Sequence, residues 1–242
     1  MRVLVFNSKG GCGKSTVTRE ILAGPHASNY VVVEIDDLNQ TQTGYGEKGI
    51  FKKVELLKRE EIPNLLMLLN EHDNVVVDVG ADNITATLDA MLNYNLFDDI
   101  DRVVIPMKSG RTDCENALLT YESIYPHCKD IKFVFVERDD SEPLEEQYSV
   151  FFKNLQRIKI DKLNDKNFAT IASSDAFIDA QDSRELVVDI AKGPDYKAQA
   201  LKAKEENDMA SFKELMSKEL RKRTAAILVE KTITPAHKVL MG

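Results

Sequence analysis

The stretch that most restricts what this chain can become is Lys9 to Thr16, KGGCGKST, set between a short apolar run, Val3 to Phe6, and a helical pattern from Lys14 to Ala23. Gly10, Gly11 and Gly13 allow the backbone to bend tightly and to turn successive N–H groups toward an anion at the start of the helix. Lys14 then brings a cation within reach of β- and γ-phosphate oxygens, Ser15 a hydroxyl suited to Mg2+, and Thr16 a further contact on the α-phosphate side. Cys12 fills the variable position of the loop, where a small side chain suffices.

A phosphate loop of this kind needs a strand before it and a helix after it, and the rest of the sequence supplies more of both. Apolar runs at Tyr30 to Ile35, Asn74 to Val79, Arg102 to Pro106 and Lys132 to Val136, with a weaker one at Phe168 to Ala172, are nearly continuous in Val, Ile and Phe. That is the pattern of strands buried on both faces. Between them lie helical stretches around Ile62 to Glu71, Ile84 to Leu96, Asp113 to Ile124 and Leu144 to Leu155. The alternation predicts an α/β fold with a mostly parallel sheet flanked by helices. From about Pro194 the composition shifts to Lys, Glu and Ala, so we expect a domain over residues 1–193 and a C-terminal helical extension over 194–242 packed on it. Met209, Phe212, Leu215 and Met216 form an apolar stripe expected to face that domain or a partner, and a less regular tail is expected from Thr232.

The chain has 242 residues, 43% hydrophobic and 30% charged, enough for a sizeable core. No apolar run approaches the roughly 20 residues that span a bilayer, and Met1 and Arg2 lead straight into a strand, so a cytoplasmic location is expected. Cys12, Cys114 and Cys128 are odd in number and show no CxxC pairing, which fits free thiols. A net charge of -8 argues against a surface that coats nucleic acid as a whole. The KELRKR run from Lys218 to Arg223 is the place for a local, non-specific DNA contact; the competing reading is a solvated helix face paired with nearby acids.

Two apolar runs end in acids. Tyr30 to Ile35 leads into Asp36 and Asp37 after Glu34, and Asn74 to Val77 leads into Asp78, followed by Val79, Gly80 and Ala81. In a parallel sheet these ends come to the edge where the phosphate loop sits. An acid closing the second of these strands suits a Walker B carboxylate, which holds Mg2+ through its water ligands.

The loop departs from the usual GxxxxGK[ST] pattern by carrying Ser8 where Gly is expected and by adding Lys9. In this form, KGGxGK[ST], it resembles the deviant Walker A ATPases that include ParA and MinD. That resemblance implies ATP and Mg2+ as cofactors, slow, partner-stimulated hydrolysis and a nucleotide-dependent homodimer across which Lys9 reaches the partner's phosphates. By the same resemblance Lys9, Lys14 and Asp36 serve catalysis, with Asp36 orienting the attacking water. Ser15, Asp78 and Glu34 attend the metal, and residues 10–16 bind the nucleotide. Glu34 stands where the family has aspartate, and Asp37-Leu38-Asn39-Gln40 where it often has Pro-Gln, so Gln40 is not equated with the family glutamine. Weaker likenesses place Ile105-Pro106 at a strand end, Gly80 near the γ-phosphate, and Arg138 and Ser173 to Ala180 near the base. The segment Asp73 to Asn95 and the compact length look similar to plasmid-borne relatives, implying plasmid partition, stability or conjugal DNA positioning with a DNA-binding adaptor. Alternatives are a metabolic P-loop kinase or ligase and a MinD-like membrane-cycling ATPase, the latter disfavoured by the tail. An iron–sulfur reductase of the same fold would need Cys114 and Cys128 in glycine-flanked settings that they lack.

Overall fold

A computed structural model of the chain describes residues 1–37, 41–157 and 164–242. Seven strands form one sheet: β1 (Arg2–Val5), β2 (Val31–Ile35), β3 (Lys53–Leu57), β4 (Val75–Val79), β5 (Arg102–Met107), β6 (Ile131–Arg138) and β7 (Phe168–Ala172). Their order is β3-β2-β4-β1-β5-β6-β7, with every pairing parallel. The five expected strands and the weaker sixth are all present, so the α/β architecture is as the alternation predicts. The additional strand, β3, lies at the sheet edge with Lys53 and Glu55 partly in water. It mixes charged and apolar residues instead of running apolar, so its sequence lacks the mark of a strand buried on both faces.

Helices cover both faces. They are α1 (Lys14–Thr16, continued by a wider π-helical stretch, Val17–Ala23), α2 (Thr43–Glu47), α3 (Leu65–Glu71), α4 (Ile84–Asn93), α5 (Arg111–Ile124), α6 (Leu144–Gln147), α7 (Ser149–Arg157), α8 (Asp175–Ser183), α9 (Val187–Ala191), α10 (Tyr196–Glu205), α11 (Met209–Leu228) and α12 (Thr234–Met241). Because strand side chains alternate, β1 sends Leu4 into one core layer and Val3 and Val5 into the other. One layer joins Ile62, Leu65, Met91, Tyr121 and the aromatic group around Phe133, Phe135 and Phe151; the other joins Ile21, Leu22, Val187, Leu228 and Leu240.

One expectation for the C-terminal region is corrected, and for another one of its two alternatives is met in part. The tail from Thr232 is helical: Ile233, Ala236 and Leu240 recur at helical spacing and are buried in the second core layer, α12 running on from α11 through a π-helical stretch, Val229–Ile233, just before Pro235. The stripe on α11 is turned largely outward. Met209 and Met216 are exposed, Phe212 and Leu215 half-buried, and the helix instead buries Glu219, Ala225 and Leu228. Ala225 and Leu228 join the second core layer where α11 packs against α9 and α10. Among the described residues no helix is long and apolar enough to cross a membrane.

Candidate nucleotide site

The C-terminal ends of β1, β2, β4 and β6 open on one cleft of about 490 Å3, and the loop between β1 and α1 forms its floor. Gly11 (φ 72°) and Gly13 (φ 93°) take left-handed backbone conformations that cost glycine nothing. Gly13 is also held by space, since a methyl group there would press on the Val136 side chain of β6. The loop's entry is fixed from the sheet. Asn7, fully buried, donates to the Pro106 carbonyl of β5 (2.6 Å) and accepts from the Lys9 N–H (3.0 Å).

The two loop lysines face different ways. Lys14 is buried, and its ammonium donates to the carbonyls of Asn7 (3.1 Å) and Lys9 (2.9 Å) inside the loop. Lys9 is 38% exposed, and its ammonium lies 3.8 Å from the Asp113 carboxylate on α5. Cys12 is buried with its thiol donating to the Lys9 carbonyl (3.2 Å); burial pushes its pKa up, as expected of an inert filler.

Glu34 and Asp78 are register partners on the adjacent strands β2 and β4, and both are buried. Burial pushes both carboxyls above their usual range, partly offset for Asp78 by hydrogen bonds from Ser15 and Gln42. Of the two, Asp78, buried beside the Ser15 hydroxyl, is the acid that a divalent cation with its water shell would satisfy, whereas Glu34 is engaged by its own neighbours. Among the described residues no cluster of three or more metal-ligating side chains exists, so such a cation would draw its remaining ligands from phosphate and water, as Mg2+ commonly does.

Both Glu34 oxygens are engaged by the segment beyond β2: one accepts from the Thr41 N–H (2.8 Å) and hydroxyl (2.6 Å), the other from the Gln42 N–H (3.0 Å). Asp36 lines the cleft with its carboxylate set against Gly80, where a methyl group would overlap it. The Gly80 N–H donates to Ile35 (2.8 Å), which seats this close approach between β2 and β4. Asp37, in contrast, turns away: it accepts from the Arg59 N–H (3.1 Å) and exchanges two hydrogen bonds with the Asn83 amide, whose orientation is assigned from that pairing. Gln40 lies outside the described residues.

Residues 10, 11, 13–16, 34, 36, 78 and 80 therefore meet in one place, as does Ser173 to Ile178 at the far wall. Arg138 does not line the cleft and pairs with Asp140 (3.6 Å); its neighbour Glu137 does, ion-paired with Lys108 (2.7 Å). Sequence reasoning missed Asn7, Gln42, Lys108 and Glu137. All four cations of the Lys218 to Arg223 run have partners within the molecule: Glu214, the Asp179, Ser183 and Glu185 group, the Pro194 carbonyl and Glu219.

This fold and loop define a P-loop NTPase architecture. Neither a family model nor a curated relative matches the sequence. Solved structures do share the fold: a chain of the MinC:MinD cell division protein complex of Aquifex aeolicus (13% identity, TM-score 0.55, covering 96% of each chain). Another is the septum site-determining protein MinD of Pyrococcus horikoshii, complexed with Mg-ADP (15% identity, TM-score 0.51, 76% of this chain and 86% of that one). A third is a plasmid partition protein of Borrelia burgdorferi bound to AMPPNP (14% identity, TM-score 0.50, 76% and 90%).

Proposed function

We propose that this chain is a ParA/MinD-type ATPase that binds Mg-ATP in this cleft and uses a two-subunit, nucleotide-dependent state as a switch. The observation that carries the reading is the contrast between the two lysines, Lys14 folded into its own loop and Lys9 outside the cleft lining, with its part-exposed ammonium beside Asp113. A part-exposed cation outside its own cleft suits a role on the phosphates of a second subunit, where charge develops during phosphoryl transfer.

Gly10 to Thr16 would cradle the phosphates, and Ser15 and Asp78 would attend Mg2+. When bound, Mg2+ neutralises phosphate charge and polarises the transferred group. Asp36 would orient water beside Gly80. Fold neighbours carrying AMPPNP and Mg-ADP support a nucleotide in this fold. For cargo, we favour plasmid or conjugal DNA handled through a DNA-binding adaptor, on the likeness of residues 73–95 to plasmid-borne proteins. The burial of Ile233, Ala236 and Leu240 supports this over a membrane-cycling role, because the apolar side of α12 is spent on the core.

Solution mass measured with ATP, ADP and no nucleotide tests the switch. The expected result is a dimer with ATP alone, lost in Lys9→Ala while ATP binding persists. An unchanged mass in every state with ATP bound would remove the two-subunit mechanism.

A further inference from the structure

Gln42 is fully buried against Ser15 and Asp78, both of which line the cleft, yet its side-chain carbonyl has no hydrogen-bond partner in the protein. The rest of the residue is tied down. Its N–H is held by Glu34, and its amide nitrogen donates both to the Ser15 carbonyl (3.3 Å) and to the Asp78 carboxylate (3.2 Å). Two acceptors against the nitrogen fix which way round the planar amide sits, and so the unanswered oxygen is the carbonyl. Buried acceptors are seldom left in this condition without a function or a water to answer them.

The other groups around it indicate which donor is missing. Gln42 bridges a P-loop backbone carbonyl and the Walker B carboxylate, the two elements flanking the expected cation, while Glu34 spends both of its oxygens on Thr41 and Gln42. A water in a divalent cation's shell is a strong, polarised donor and needs such an acceptor. We infer that Gln42 is a positioning residue for the hydrated Mg2+ of the nucleotide complex: its amide nitrogen orients Asp78, and its carbonyl accepts from a cation-bound water. Glu34 then acts through Gln42, as the anchor of the segment that carries it. This rests on the Mg-nucleotide reading of the cleft.

The test is titration of a fluorescent ATP analogue into wild type, Gln42→Met, Gln42→Asn and Gln42→Glu, first in EDTA and then at rising Mg2+. Met removes the acceptor and the donor together at nearly constant volume, Asn withdraws both by one methylene, and Glu keeps an acceptor but loses the donor. The Mg2+ concentration for half-maximal tightening is expected to rise roughly tenfold or more in the Met and Asn variants. Affinity in EDTA should be unchanged in the Met and Asn variants, and Gln42→Glu, which sets a second carboxyl against Asp78 and the Ser15 carbonyl, should also need more Mg2+ than wild type. Wild-type Mg2+ dependence in Met or Asn, or equal loss of binding with and without Mg2+, would each overturn the inference. If wild type itself bound no nucleotide, the reading of the cleft would fall and take this one with it.

Discussion

Asp36 and Gly80 form a single fitted pair, because the carboxylate occupies the space a side chain at residue 80 would need. Gly80→Ala should therefore displace Asp36 while leaving the phosphate loop intact. We expect hydrolysis to fall about 10- to 100-fold, with nucleotide affinity within about threefold of wild type, the pattern of a misplaced reacting group. Single-turnover rates beside equilibrium binding measure this, and a parallel loss of affinity would show that the loop had moved as well. The residues legible in the sequence were those whose role is local: glycines at 10, 11 and 13 follow from backbone geometry, and Lys14 and Ser15 from adjacency to them. Asn7 and Gln42 were not legible, since each acts through a partner far away in the chain, Pro106 for one and Asp78 for the other. A polar residue just past a strand gives no sign of that.

Among the elements, the wider helical stretch after the phosphate loop ties together parts far apart in the chain. All of Val17–Ala23 is buried, Glu20 pairs with Arg19 (2.8 Å) and accepts from the Val187 N–H (2.9 Å) at the start of α9, and Ile21 presents its carbonyl to His237 of α12 (2.8 Å). Burial holds the His237 pKa below its ordinary 6.5, and the nearby His26 ring adds to the effect. A histidine lowered in the folded state takes up its proton more readily when unfolded. The part of the stability contributed by His237 should therefore be constant above about pH 6.5 and fall as pH drops from there toward the folded pKa. Denaturant midpoints against pH measure this, and the slope should shrink in His237→Gln. That α12 exists at all was hidden in the sequence by its short length and its proline, although 233, 236 and 240 do recur on one helical face once the helix is known. The edge strand β3 was hidden for the opposite reason, its pattern being half solvated.

For the molecule as a whole, the alternation of apolar runs and helical stretches was enough to read a parallel, two-faced sheet, because burial on both sides leaves a compositional mark on each central strand. The order of the strands leaves no such mark and had to come from the structure. Stability is spread unevenly through the two layers. Phe133, Phe135, Tyr148, Phe151, Phe152 and Phe168 interlock at the β6–β7 side, with Phe151 in edge contact with Phe133 (4.9 Å) and Phe135 (5.4 Å). Phe151→Ala should cost about 3–5 kcal/mol in global unfolding and leave nucleotide affinity unchanged, as calorimetry and binding on the same sample would show. A large loss of affinity would mean that this layer also braces the cleft. The central place of β1 has one more consequence. Its two neighbours, β4 and β5, begin at Val75 and Arg102, so pairing on either flank closes a long stretch of chain. During synthesis β1 stays an unpaired apolar segment until first one flank and then the other has been made. The phosphate loop beside it therefore acquires its shape only after those strands have left the ribosome, which leaves that stretch in need of protection on the nascent chain.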